Sequence, residues 1–491
     1  MIEVLPLTDM PASRGTTSIE TMSLSPFMLG NFRPVRRENT AEHIPFAGRL
    51  PPELDGVYLR LGPNPQFEPI APHHWFDGDG MIHEISLDSA NGDISYRNRY
   101  VQTSSWQEDA KASKALRPGL MHPPDIERVL AGGQPYRSTA NTSAVFHHGR
   151  ALVLSEFGES YEISLPDLKT LGPVHIGADA SLNFTAHPKI DPATDDLVYI
   201  GYRIGLRPYV TYGVLAADGT TKHETTVDTA RPSMMHDFAI SAHYAVLLDQ
   251  PIYFDPARAL AGNSGWTYDP AQPARFGILP RYASGDEIRW FETPPCCVTH
   301  FVNAYEAGTE LVVTGIRYAT LPDGLVFDQR TQVEPLRPSA GPVQPFLHQW
   351  RFDLATGEVR ECPLGDTAVE FPTINPAVTG RSARYVYLIT EGRSNGILKH
   401  DALTGINSVR PHGRGRCGGE ATFVPRAGAT AEDDGYLLTF VWDGAAGRSE
   451  FLILDAAAID LDPIARVILP TRVPFGFHGT FIARSTFGTR G

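Results

Sequence analysis

Four histidines stand far apart along this chain, each beside a strand-like run: His187 in NFTAHPKID, His236 in MMHDFAIS, His300 in CCVTHFVNAYE and His478 in FGFHGTFIA. The intervals between them are about fifty, sixty-five and one hundred and eighty residues. A helical metal motif places its two histidines four residues apart, and a zinc ribbon places its paired cysteines three apart. Nothing local in this spacing does so. Side chains this dispersed meet only where a closed, radially repeated fold carries distant strands to one axis.

The rest of the chain has the texture of such a fold. Short runs rich in Val, Ile, Leu, Tyr and Phe recur throughout, among them DGVYLRLG (55–62), RALVLSEF (150–157), DDLVYIGYRI (195–204), HYAVLLDQPIYF (243–254), ELVVTGIRY (310–318), RYVYLITEG (384–392) and GYLLTFVWD (435–443). Turn residues bound them, which is the pattern of strands. FDLATGEV and KHDALTGI end in an Asp-x-x-Thr-Gly signature expected of hairpins. Helical periodicity is confined to two short segments, near 107–116 and 124–131. Strands alternating with turns over more than four hundred residues predict an all-β propeller or a very large sandwich. No repeat motif and no compositional break divides the chain. It is read as an N-terminal extension, 1–24, and one catalytic domain, 25–491.

Composition excludes several classes. A net charge of −14 argues against a general nucleic-acid binder, which needs an excess of Lys and Arg for phosphates. Four cysteines in 491 residues, with no Cys-x-x-Cys, make no disulfide framework and fit a reduced, cytoplasmic setting. The N-terminal residues lack the basic and apolar regions of a signal peptide, and no stretch of about twenty apolar residues predicts a membrane span. Weak peripheral contact with a membrane stays open, as does the oligomeric state.

A neutral imidazole is a good ligand for iron, zinc, copper or nickel, and spacing alone does not choose among them. A metal-bound histidine also needs an acceptor for its other ring N–H. Three glutamates in apolar surroundings could supply one: Glu156 in LVLSEFG, Glu370 in AVEFPTIN and Glu420 in GGEATFVPR. A buried carboxylate without a partner is costly. Four histidines and three carboxylates therefore fit together as ligands and their supports.

These residues sit in segments that resemble the carotenoid cleavage oxygenases, which include apocarotenoid and lignostilbene dioxygenases. The resemblance runs from about residue 25 to the C-terminus through GNFRPV (30–35), LPPELDGVYLRLGPNP (50–65), HHWFDGDGMIH (73–83), YRNRYV (96–101), TANTS (139–143), NFTAHPKIDPATDDL (183–197), HDFAIS (236–241), EFPTIN (370–375), GEATFVPR (419–426) and FGFHGTF (475–481). It implies a seven-bladed β-propeller whose short helices and loops cap the face over a non-haem Fe(II), one per chain. It implies that His187, His236, His300 and His478 bind that iron, and that Glu156, Glu370 and Glu420 support three of them. It also implies O₂ as cosubstrate and cleavage of a conjugated C=C bond into two carbonyl products.

The substrate implied is small, apolar and conjugated. Phe301 and Phe477 are expected to line its path, with Trp75, Phe76, Phe184, Phe238 and Phe475 as further aromatic candidates. The lignostilbene branch binds a phenol through a Tyr and a Lys. Trp106 and Arg137 stand where these are expected. Indole offers only a donor, so the expectation tilts towards an apocarotenoid or related polyene, with stilbene cleavage as the alternative. A polyene arrives from lipid, and ALRPGLMHPPDIERVL (115–130) could offer Leu116, Leu120 and Met121 as an apolar lip, although it also reads as an ordinary surface loop. The cluster HHWFDGDGM is read as a turn shaped by Asp77 and Asp79, not as a second metal site.

Overall fold

The structure is a computed structural model that describes residues 25–487, apart from 71–72, 118, 120–121, 126–135, 157, 178–183, 205–206, 264, 320–343 and 391–394. Apart from the separate pair Ile252–Phe254 and Trp266–Tyr268, its strands pair antiparallel into seven units, numbered here as blades in chain order. Blade 1 is Ser143–His147, Arg150–Leu154, Ser160–Ile163 and Thr170–Val174; blade 2 is Lys189–Ile190, Leu197–Tyr202, Val210–Leu215 and Thr221–Val227. Blade 3 is Ala239–Ile240, Tyr244–Asp249, Ala274–Pro280 and Arg289–Thr293. Blades 4 and 5 share the strand Val359–Thr373. Its first part closes blade 4 after Cys297–Ala307, Glu310–Tyr318 and Pro345–Asp353, and its last part opens blade 5 before Tyr385–Thr390, Gly396–Asp401 and Ile406–Pro411. Blade 6 opens with Arg416–Gly418 and Thr422–Pro425 and continues through Gly435–Asp443, Arg448–Asp455 and Ala465–Ile468. Blade 7 joins the chain ends: Gly479–Ala483 lies beside Gly56–Pro63, Gly80–Asp88, Asp93–Tyr100 and Asn39–Ala41.

Two pairings close the ring. Gly56–Pro63 runs antiparallel to Gly479–Ala483, with Gly56 opposite Ala483, and Phe46 of the N-terminal region pairs with Val467 at the outside of blade 6. Closure in this way leaves only short outer edges unpaired.

Packing follows the period of two. In Leu197–Tyr202 the side chains of Val198, Ile200 and Tyr202 enter the core shared with blade 3, while Leu197 and Tyr199 enter the core shared with blade 1. In Tyr244–Asp249, Ala245 and Leu247 face blade 2, and Val246 and Leu248 face blade 4. A strand covered on both faces must be apolar at every position, which is why these runs lack a polar alternation. Seven hydrophobic clusters result, one between each pair of neighbouring blades, including blade 7 against blade 1.

Local departures from expectation have local causes. The helix expected at 107–116 is Ser104–Ala112, because the Thr103 hydroxyl caps it by accepting from Trp106 N, and Ser113 ends it in the left-handed region. Most of the second expected helix, 124–131, lies outside the described residues. The run 243–254 divides into Tyr244–Asp249 and Ile252–Phe254, with Pro251 between them unable to donate to a ladder. The Asp-x-x-Thr-Gly signatures do make hairpins: Asp353 accepts from Ala355 N and Thr356 N at 2.8 and 2.9 Å, and Gly357 takes the positive φ. Among the described residues no helix is long and apolar enough to cross a membrane.

Candidate metal centre

Seven residues, one from each blade, meet at one place. His187 precedes the first strand of blade 2, His236 that of blade 3, and His478 the strand Gly479–Ala483 of blade 7; His300 lies within the first strand of blade 4. Glu156 follows the second strand of blade 1, Glu370 lies where blade 5 opens, and Glu420 lies between the two short opening strands of blade 6.

The four rings face one another. Ring centroids of His187 lie 4.5 Å from His236, 5.2 Å from His300 and 4.5 Å from His478; His300 lies 5.3 Å from His236 and 5.0 Å from His478. The ligand atoms of His187, His236 and His300 lie within 4.8 Å of one another, an arrangement able to hold a metal ion. Backbone bonds tie the His478 and His187 segments each to a neighbouring strand or loop. His478 N donates to Thr142 O at 3.1 Å, Leu61 N donates to His478 O at 3.1 Å, and Thr185 N donates to Ile200 O at 3.0 Å.

Three rings are held from behind. The Nδ1 atoms of His236, His300 and His478 lie 2.6, 2.6 and 3.0 Å from carboxylate oxygens of Glu156, Glu370 and Glu420. An ionised carboxylate only accepts, so each Nδ1 carries the proton and each Nε2 presents a lone pair. The carboxylates are themselves held. Glu156 accepts from the Tyr202 hydroxyl, Glu370 from the Thr299 and Tyr318 hydroxyls and from Phe371 N, and Glu420 from Gly479 N at 2.6 Å. Among the described residues no carboxylate supports His187 in this way.

Electrostatics agree with a site made for a cation. Burial pushes the His187 and His478 rings below the ordinary imidazole range. Burial opposes the charge of Glu370 too, but the His300 ring, the Thr299 hydroxyl and Phe371 N–H outweigh it and bring the carboxyl down to about 2. Among the described residues His300 Nε2 is buried with no hydrogen-bond partner, and the Nε2 atoms of His187 and His236 stand 3.0 Å apart. Ring nitrogens gathered so closely need a shared proton or a metal ion between them. All-imidazole donors suit a borderline transition metal.

The other expected residues are more scattered. Phe477 packs on Trp75 and Phe76 at 4.6 and 5.8 Å, next to His478 in the chain. Phe475 packs on Phe32 at 4.8 Å. Phe301 belongs to the core between blades 3 and 4, Phe184 packs on Tyr199, and Phe238 is fully buried between blades 2 and 3. Trp106 lies on its helix 6.1 Å from Tyr100. The Arg137 guanidinium is engaged by Asp79 at 2.5 Å and Asp109 at 3.0 Å, in nearly complete burial. Asp77 serves a turn, accepting from His74 N, whereas Asp79 accepts from Gln66 N thirteen residues away and pairs with Arg137. Leu116 is 41% exposed, whereas Leu120 and Met121 lie outside the described residues.

Sequence reasoning missed Tyr202, Thr299, Tyr318, Phe371 and Asp237. Thr299, Phe371 and Asp237 adjoin a site residue, a signal that was there to follow; the two tyrosines reach it from neighbouring strands and carried none. Phe371 has a φ of +50°, unusual for an aromatic residue, and packs at 5.3 Å on both His300 and His478.

Four imidazoles gathered where seven blades meet, three of them arranged to hold a metal ion, define the site, and comparison gives the class. Residues 32–483 match the family model described as RPE65, retinal pigment epithelial membrane protein. A carotenoid 9,10(9',10')-cleavage dioxygenase 1 from Arabidopsis thaliana is 37% identical over 93% of this chain and 89% of its own length. A carotenoid cleavage oxygenase from Mycobacterium tuberculosis is 33% identical over 95% and 99%. Among solved structures, the lignostilbene dioxygenase of Pseudomonas brassicacearum superposes with a TM-score of 0.84 at 27% identity, covering 94% of this chain and all of that one (100%). Cobalt-substituted apocarotenoid oxygenase from Synechocystis superposes with 0.82 at 27% identity, covering 92% and 97%. The chain belongs to the carotenoid cleavage oxygenase family and is a dioxygenase of that class.

Proposed function

We propose that this chain holds one Fe(II) through His187, His236, His300 and His478 and uses O₂ to cleave a conjugated C=C bond of an apocarotenoid or related polyene into two carbonyl products. The observation that carries the metal reading is the orphaned Nε2 of buried His300, facing three other imidazoles. Four neutral imidazoles would leave the dipositive charge of iron intact, and no keto-acid cosubstrate is required because the alkene itself is the reductant. When bound, iron would supply the site at which O₂ is made reactive, while the four electrons that reduce O₂ come from the C=C bond that breaks.

The chain's own residues do the rest. Glu156, Glu370 and Glu420 keep Nδ1 protonated and hold three Nε2 lone pairs on the axis. Phe371 braces two rings by packing. Trp75, Phe76 and Phe477, the last next to His478 in the chain, pack into an aromatic cluster suited to an extended conjugated chain. No general acid or base is needed. The work is positioning and exclusion of water.

Polyene cleavage is favoured by the relatives of 36 and 37% identity over 93% of the chain, named carotenoid 9,10(9',10')-cleavage dioxygenases. The stilbene alternative is supported by the lignostilbene dioxygenase structure. It needs an anchor for a phenol, and the ion pairs of Arg137 with Asp79 and Asp109 weigh against that residue as the anchor. A polyene would enter from lipid, and Leu116, exposed in the described part of the 115–130 segment, is a candidate for a weak peripheral contact.

The test is aerobic incubation of the iron-loaded protein with an apocarotenal and, separately, with resveratrol and a lignin-type stilbene, with products identified by mass spectrometry. Two shorter aldehydes from the apocarotenal are expected. Benzaldehydes from the stilbenes alone would replace the polyene reading with the alternative. Absence of any O₂-dependent product would defeat both.

A further inference from the structure

The glutamates orient rings, but nothing so far explains what holds the backbones of the histidine segments in mutual register. Asp237 touches none of the four rings in a hydrogen bond. Its buried carboxylate accepts from three directions. Oδ1 lies 2.7 Å from Lys189 Nζ and 2.7 Å from Phe238 N, and Oδ2 lies 2.7 Å from Phe301 N. Lys189 is two residues past His187, Asp237 is one past His236, and Phe301 is one past His300. One carboxylate thus ties together the segments that carry three of the four histidines, each from a different blade.

The bond to Phe301 falls at a special place. The strand Cys297–Ala307 loses register with its partner between Val298 and Phe301 and again between Phe301 and Asn303. Such a bulge re-aims side chains beside an active site, and here it brackets His300. Asp237 takes up the Phe301 N–H at the bulge. Lys189 reaches the same carboxylate from the segment of His187, the histidine that lacks a supporting glutamate among the described residues. Charge-assisted bonds of this kind are the stronger ones.

We propose that Asp237 is a positioning residue, which with Lys189 sets the separation of His187, His236 and His300 and hence the size and geometry of the metal site. This rests on the metal-binding reading of the histidines. Cobalt(II) titration of the metal-free protein, followed by its visible absorption, separates the two ideas. Wild-type protein is expected to take one Co(II) per chain. Asp237→Asn presents a donor where an acceptor is needed, and should weaken Co(II) retention by roughly ten- to a hundredfold, the usual range for ligand-supporting groups, with a shifted absorption spectrum. Lys189→Met should change the spectrum in the same direction, and Lys189→Arg should restore it. The control is Asp249→Asn, a buried carboxylate of blade 3 bonded to Ser233 and Arg275. It should lower the melting temperature and leave the spectrum alone. A wild-type spectrum and affinity in Asp237→Asn would overturn the proposal while leaving the metal reading intact. If Asp237→Asn does not fold, Lys189→Met decides, since its side chain is 20% exposed; an unchanged spectrum there overturns the proposal equally. Failure of wild-type protein to bind Co(II) would defeat the metal reading and this inference with it.

Discussion

At the scale of single residues, the ring nitrogens decide what this protein can hold, and the carboxylates decide the nitrogens. Glu156→Gln removes the charge that fixes the His236 tautomer and should lower iron retention by roughly ten- to a hundredfold, measured as the rate of loss to a chelator. A wild-type rate would make Glu156 a bystander. The same pair predicts a pH dependence. Burial pulls the His236 ring down, but Glu156 outweighs burial and the net shift is upward. In the metal-free chain that ring's contribution to stability is full below the unfolded value near about 6.5 and is lost as pH rises through the raised folded value. A metal ion must displace the proton. Apparent metal affinity should therefore fall as pH falls through that raised pKa, by about tenfold per pH unit for one proton; isothermal titrations across this range that show no slope would contradict it. Arg137 behaves differently. Truncating it to Ala leaves Asp79 and Asp109 buried without their cation, and breaking a buried pair costs about 3–5 kcal/mol. Denaturant unfolding should register that loss. A stable variant with a raised KM would instead return Arg137 to the substrate path.

At the scale of elements, the loop that presents His478 is as constrained as the ring itself. Its backbone runs against Arg60–Gly62: Phe477 N donates to Leu61 O at 2.8 Å, and the Arg60 guanidinium donates to Pro474 O at 2.5 Å. A Cβ on Gly476 would stand 2.5 Å from Leu61 O. Gly476→Ala must push Phe475–His478 away from the axis, at an overpacking cost of about 1–3 kcal/mol. The expected result is a lowered melting temperature together with weaker metal retention. Loss of stability with unaltered metal binding would show that the loop can shift without carrying His478 with it. The strand Val359–Thr373 shows the same economy: it ends one blade, begins the next, and delivers Glu370 at the crossing.

At the scale of the molecule, the axis joins residues from all seven blades, so a metal ion there acts as a hub. Stripping the metal should lower the melting temperature. At free metal a hundredfold above its Kd the stabilisation lost is about 2.7 kcal/mol, and calorimetry before and after chelation reads it directly; equal transitions would mean that no metal binds at the axis. Much of this was legible in the chain. Short apolar runs bounded by turn residues announced the strands, and four dispersed histidines required a fold that closes. The order of segments was enough to recognise the family. What was not legible was convergence across blades. Tyr202 and Tyr318 look like any strand tyrosine until a neighbouring blade brings Glu156 or Glu370 against them, and Arg137 read as a substrate-binding residue until Asp79 and Asp109 were folded around it. Phe301 read as a wall of the substrate path, but at the bulge that brackets His300 its side chain lies in the core between blades 3 and 4. The sequence by itself determined the strands, their turns and the residue types available to a metal, because these depend on neighbours along the chain. Which carboxylate meets which ring, and which charges are already spent on each other, only the tertiary structure decided, because those contacts span separations of 28 to 80 residues and exist only once the ring is closed.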